Sequence, residues 1–212
     1  MNLLDMGALA QSEALANRSL SAVELMEATL DRIEAVNGRV NAIVSMVARD
    51  VLLDQARAAD AGRRRGWLHG IPIAIKDLSD AKGLPTSKGS PLFAGSIAEN
   101  DSLFVARIKA AGAIVIGKTN TPEFGLGSHT FNPVHGATRN PYDLSRSAGG
   151  SSGGAAAALA SGMLSIADGS DMMGSLRNPA GWNNVYGMRP SWGTVPAEPE
   201  GDMYLHQLAT SG

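Results

Sequence analysis

Cysteine is absent from this 212-residue chain, so disulfides, thiolate zinc sites and a cysteine nucleophile are all excluded. Clustered positive charge is lacking as well. The formal net charge is −2, with acids and bases interspersed, whereas a nucleic-acid or polyphosphate surface needs lysines and arginines gathered in one patch. The one basic run, RRR at 63–65, follows Gly62 between a helical pattern and a strand and reads as a solvated loop. No apolar run approaches the length of a membrane span. The first residues, MNLLDMGALAQSEALANRS, hold Asp5 and no base before Arg18, unlike a secretory signal. A cytoplasmic protein with no nucleic-acid or membrane partner is the expectation. Aromatics amount to only 5%, whereas glycine supplies 25 residues, many of them crowded into 112–193. A region so built brings backbone against backbone, or backbone against a ligand.

The apolar pattern divides the chain. SAVELMEATLDRIEAVNG (21–38) opens on Ser21 and Glu24, a capping-box pair. Met26, Leu30 and Ile33 then recur at helical spacing, and Asn37-Gly38 supplies the expected stop. Residues 47–61 read as a further helix ended by Gly62. From there the rhythm changes. GIPIAIKD (70–77) and AIVIG (113–117) are short buried strands, separated by a helix that starts at Asp101 as N-cap and ends at Gly112. GAAAALASG (154–162) reads as a small-residue helix and LSIADGSD (164–171) as a third strand. Continuous apolar strands alternating with helices imply an α/β fold, its largely parallel or mixed sheet covered by helices on both faces. One domain over 1–212 is expected, with a helical region at 1–65 and a catalytic core at 66–212.

Two glycine-rich stretches compete as the centre of the chemistry. GAIVIGKT (112–119) fits the phosphate-loop pattern G-x-x-x-x-G-K-[ST]. Its four variable residues, Ala113, Ile114, Val115 and Ile116, read as strand instead of loop, and Asn120-Thr121-Pro122 stands where a helix should begin, so ATP binding is not expected. Gly149 to Gly153 fit G-x-S-x-G, the nucleophile elbow of α/β-hydrolases. The preceding NPYDLSRSA is polar and turn-like where an apolar strand is required, and only His206 follows downstream. His69, His129, His135 and His206 are scattered, sit in no credible motif, and read as ordinary surface or structural residues.

A run of motifs decides between them. GIPIAIKD, GLPTSKGS (83–90), GKTNTPEFG (117–125), GATRNP (136–141), RSAGGSSGG (146–154), GSDMMGSLRNPA (169–180) and GMRPSWGTVP (187–196) follow one another. In that order they resemble the amidase signature family, serine amide hydrolases with a Ser–Ser–Lys triad, over residues 20–195. The resemblance implies Ser175 as nucleophile, Ser151 as bridging serine and Lys76 as base, with no metal and no cofactor. The residue types suit those roles. A serine hydroxyl is a poor nucleophile until a base takes its proton. A lysine can do so only when neutral, and its reference pKa near 10.4 must fall by a few units, which burial can achieve. Lys76 follows the apolar residues 71–75, a setting that favours such burial. Its neighbour Asp77 points to the opposite face of the strand and is poorly placed to pair with it. Ser151 would relay the proton inward and later to the leaving amine. The resemblance further implies backbone N–H groups of Met172, Met173, Gly174 and Ser175 as the oxyanion hole, with Ser152, Asp171, Arg177 and Asn140 as structural supports.

The sequence departs from the family where Met173-Gly174 replaces the usual pair of glycines. Met173 is expected to keep an ordinary backbone conformation and to line the acyl pocket with its thioether. Members of the family also run well beyond this length. The segment 1–212 by itself is therefore expected to be marginal and inactive, with its site serines open to solvent on one side or their loops displaced. The implied activity is hydrolysis of a small carboxylic amide to an acid plus ammonia or an amine, through an acyl-enzyme on Ser175. A homodimer is left open. Two alternatives stand beside it: a glutaminyl-tRNA amidotransferase A-type subunit working as a glutaminase, and a catalytically silent binding or assembly fragment. WNNVYGMRPSW (182–192) is unlike the F-C-G-V-V-G-L-K-P-T type usual in that subunit, which favours the stand-alone amidase.

Overall fold

The computed structural model describes residues 3–197 and 209–212, so His206 lies outside the described residues. Two helices open the chain, α1 (Ala8–Ala16) and α2 (Ala22–Val40). The capping box forms: the Ser21 hydroxyl accepts the Glu24 N–H at 3.1 Å, and the Ser21 N–H donates to the Glu24 carboxylate at 2.9 Å. The helix does not stop at Asn37-Gly38. It runs to Val40, and Asn41 takes the left-handed cap at φ 53°. Asn37 does a different job. Its side chain accepts the N–H groups of Ala42 and Ile43 and donates to the Ile43 carbonyl, tying the helix end to β1 (Ile43–Val44). The region 1–65 is therefore not purely helical, since it contributes this strand as well as α3 (Arg49–Ala61). The arginines at 63–65 are exposed, as expected, and Arg64 donates to the Ser12 hydroxyl.

Beyond them lie β2 (Pro72–Lys76), α4 (Leu103–Ala110) and β3 (Ile114–Thr119). Of the phosphate-loop pattern at 112–119, residues 114–119 are strand, while Gly112 and Ala113 lie just before it. The N-cap position of α4 is Ser102, not Asp101, and its hydroxyl makes no capping hydrogen bond. The Asp101 carboxylate instead accepts the Lys82 N–H and pairs with Lys109, which removes it from the capping role. The sheet has the order β1-β3-β2, with β2 and β3 parallel and β1 antiparallel to β3. Alternate residues feed two cores. Ala74, Ile114 and Ile116 pack with Met26, Leu30 and Ile33 of α2 and with Ala157 and Ala158 of α5 (Gly153–Ala160). Ile73, Ile75 and Val115 pack on the other face with Val105 of α4. Helices thus cover both faces, and α2 and α3 share the first of these cores with residues beyond 66.

Between β3 and α5 the chain forms two small antiparallel pairs, β4 (Phe131–Asn132) with β5 (Gly136–Ala137) and β6 (Arg139–Asn140) with β7 (Asp143–Ser147). After α5 come β8 (Ser170–Asp171), α6 (Arg177–Trp182) and β9 (Thr210–Ser211), with β8 antiparallel to β9. The expected third strand at 164–171 is reduced to those two residues of β8 and does not join the sheet. The Lys76 N–H at the end of β2 donates to the Asp168 carboxylate at 2.8 Å, so a side chain supplies the acceptor that a neighbouring strand would have supplied. The small residues of α5 have a steric cause. A Cβ on Gly153 would collide with the Thr130 side chain, and one on Gly154 with the backbone of Asn120 and Ala42. Their absence seats the start of α5 against the end of β3 and the start of β1.

Candidate active site

Lys76 is the last residue of β2 and shares the face of Ala74, toward the start of α5. The residue is 1% exposed. The Nζ donates to three hydroxyls: Ser151 at 2.7 Å, Ser152 at 2.8 Å and Ser170 at 2.9 Å. The hydroxyls differ in what else they do. Ser152 Oγ donates to the Ser170 carbonyl at 3.3 Å and accepts the Ser170 N–H at 3.2 Å. Its proton is engaged, so toward Lys76 it is an acceptor. Among the described residues, Lys76 is the sole hydrogen-bond partner of the Ser151 hydroxyl. A neutral lysine amine has two N–H donors and one lone pair. Ser152 and Ser170 can accept the two N–H groups, which aims the lone pair at the Ser151 proton.

Burial drives the Lys76 amine down from 10.5 to about 7, opposed by the negative charges of Asp168 and Asp171. Asp168 is itself buried, and burial raises its carboxyl to about 6 against the pull of the Lys76 N–H and of the Lys76 and Lys118 charges. Asp77 faces elsewhere, as the strand alternation requires. It accepts the Ser87 hydroxyl and lies 3.8 Å from both Lys118 Nζ and His135 Nε2. The lysine of GAIVIGKT is thereby buried in this second polar cluster, donating to the Ser79 carbonyl and the Thr86 hydroxyl.

The turn that carries Ser175 is built on Asp171. Burial would raise this carboxyl, but its partners prevail and hold it well below the usual carboxylate range. The Arg177 guanidinium grips it at 2.9 and 3.0 Å, and the N–H groups of Gly174, Leu176 and Arg177 donate to it. Arg189 adds a contact at 3.4 Å. Of the four N–H groups expected to form an oxyanion hole, that of Gly174 is thus taken by Asp171. Those of Met172, Met173 and Ser175 have no hydrogen-bond partner among the described residues. The departure at Met173 also resolves. Gly174 holds φ +104°, and a Cβ there would lie 2.8 Å from Asn178 Nδ2. The left-handed position has kept its glycine. Met173 has no positive φ and is 81% exposed, next to the half-exposed Met172.

Ser175 is half-buried. Its carbonyl accepts the Ser152 N–H at 2.9 Å, which moors the turn to the serine pair. Its hydroxyl makes no hydrogen bond to Ser151. The structure therefore brings Lys76, Ser151 and Ser152 together, adds Ser170 and Asp168, and leaves the Ser175 hydroxyl beside them without a hydrogen-bond partner among the described residues. Neither added residue was singled out in the sequence, although both lie in the LSIADGSD stretch read as strand. Thr130 was also missed: its hydroxyl accepts the Gly153 N–H and its N–H donates to the Gly149 carbonyl, bracing the serine loop. Asn140 braces α6 by donating to the Trp182 carbonyl. His69 contacts the Ala59 carbonyl and His129 packs its ring edge-on against Trp182. Among the described residues no cluster of His, Asp and Glu could hold a metal ion, and no helix is long and apolar enough to cross a membrane.

A β-edge lysine, a serine pair opening a glycine-rich helix and an aspartate-built serine turn form the arrangement to compare with known proteins. The Amidase family model matches residues 24–212, and the chain belongs to that family. It is 45% identical to an indoleacetamide hydrolase of Bradyrhizobium diazoefficiens, covering 94% of this chain and 40% of that protein. It is 43% identical to the A-type subunit of a glutamyl-tRNA(Gln) amidotransferase from Anaeromyxobacter dehalogenans, covering 85% of this chain and 37% of that one. Among solved structures, the native peptide amidase of Stenotrophomonas maltophilia superposes with a TM-score of 0.87 at 32% identity, covering 98% of this chain and 44% of that one. The chain spans about two fifths of the length of the curated relatives it matches.

Proposed function

We propose that the protein hydrolyses a small carboxylic amide through an acyl-enzyme on Ser175. The observation that carries this reading is the buried Lys76 amine set among three serine hydroxyls, with its proton affinity brought to about 7. In this mechanism the neutral amine takes the Ser151 proton while Ser151 takes that of Ser175. The Ser175 oxygen forms a bond to the amide carbon, and the N–H groups of Met172, Met173 and Ser175 receive the oxyanion. The carbon–nitrogen bond then breaks as the lysine's added proton returns through Ser151 to the leaving nitrogen. Water repeats the sequence on the acyl-enzyme and releases the acid. Ser152 and Ser170 hold the amine, and Asp171 with Arg177 holds the turn. The Ser175 hydroxyl rotates toward Ser151 as the substrate enters, since catalytic hydrogen bonds tighten when the reacting complex forms.

The test is Ser175→Ala in the protein at its full encoded length. Amide turnover should fall about a thousandfold or more, the scale of losing a serine nucleophile, while the melting temperature is retained. A fluorophosphonate should label Ser175. Labelling of Ser151, with Ser175→Ala still active, would overturn the assignment. Likeness to an amidotransferase of the A type supports a second reading, glutamine hydrolysis in service of a partner. Turnover of simple amides without a partner favours the first reading, and strict dependence on a partner favours the second.

A further inference from the structure

Asp168 is a buried carboxylate that the mechanism above does not use. Its Oδ1 accepts the Lys76 main-chain N–H at 2.8 Å, it is 9% exposed, and no cation lies within ion-pairing distance of it among the described residues. It lines an apolar cavity of about 330 Å³ with Trp67, Ile73, Phe104 and Arg107. We propose that Asp168 is the positioning residue of the lysine base: it fixes the end of β2 and supplies the uncompensated negative charge that governs when Lys76 is neutral. The proposal rests on the reading of Lys76 as the base.

The charges around the site single out Asp168. Two carboxylates act on Lys76, those of Asp168 and Asp171. Asp171 is neutralised at contact by Arg177 at 2.9 Å, with Arg189 at 3.4 Å. Asp168 has no such partner among the described residues. Lys118 also feels it, but Lys118 has Asp77 at 3.8 Å and Asp80 besides. Arg107 reaches only the shared cavity wall. The net field of one sign at the amine therefore comes chiefly from Asp168, and in a buried site such a field is weakly screened. Burial alone would make the amine neutral but feebly basic. A carboxylate behind it returns basicity, so the amine stays free near neutral pH and still competes for a serine proton.

The experiment compares Asp168→Asn with the parent. Asparagine keeps an oxygen to accept the Lys76 N–H and removes the charge. Losing the anion disfavours the ammonium form, so the acid limb of the pH–rate profile should move to lower pH by about one unit, the low end of what a nearby opposite charge contributes. The plateau should also fall, because the base is weaker. Asp168→Ser, uncharged and likewise able to accept a hydrogen bond, should shift the limb the same way and serves if the asparagine variant does not fold. The rate of fluorophosphonate labelling of Ser175 against pH gives the same limb without amide turnover. A folded uncharged variant whose acid limb stays at the parent position overturns the proposal. Lys76→Ala separates this from failure of the underlying reading. If that variant retains the limb, Lys76 is not the base. If it is inactive while Asp168→Asn leaves the limb unmoved, only the role of Asp168 falls.

Discussion

Titrating amide hydrolysis tests whether the buried lysine works as the geometry requires. Lys76 is lowered from 10.5 to about 7, so the neutral amine predominates above that value. It is about half the population at pH 7 and about one tenth at pH 6, each pH unit being tenfold in proton binding. The rate of acylation should rise about tenfold per unit through this acid range and level off above about pH 8. A solvated lysine would behave differently. With its ordinary value near 10.4, only about one amine in 2,500 would be neutral at pH 7, and the rate would still be climbing at pH 9. The assay is single-turnover release of a chromogenic amine, so that acylation and not product release is observed. An acid limb centred near 7 that vanishes in Lys76→Ala is the expected result. A limb centred above pH 9 would refute the account of burial, and a profile unchanged in Lys76→Ala would refute the lysine base itself.

The glycine substitutions separate backbone need from habit. Gly174→Ala should cost about 1–3 kcal/mol for a side chain forced into left-handed backbone, read as a lowered melting temperature, because its Cβ also meets Asn178. Met173→Gly, at an exposed residue of ordinary backbone conformation, should change stability by no more than about 1 kcal/mol. Equal costs for the two would show that the turn had been misread. Asp171→Ala strips three N–H groups and a guanidinium of their acceptor and should destabilise by on the order of 3 kcal/mol in denaturant unfolding. Because the Asp171 carboxyl is held below its unfolded value of 3.8, its stabilisation is present above that pH and lost below it, so the gap between parent and Asp171→Asn should narrow in acid.

The elements visible in the sequence were those whose cause is local. The Ser21–Glu24 cap, the apolar strands ending in Lys76 and beginning at Ile114, and the small-residue helix after the serine pair each follow from near-neighbour sterics or from the period of apolar residues. Lys76, Ser151 and Ser175 could be named because residue types in order resemble a family. Their arrangement could not be read, since 75 residues separate Lys76 from Ser151 and only packing joins them. Where a polar side chain had a distant partner, the local reading failed. Asn37 looked like a helix stop but ties α2 to β1, and Asp101 looked like a cap but serves Lys82 and Lys109. LSIADGSD looked like a strand, yet Asp168 meets the edge of β2 through its carboxylate. The order of residues determines which groups the chain can offer and the pattern of its local structure. Only the tertiary fold decides which donor meets which acceptor out of water, and with it the protonation state on which Lys76 depends.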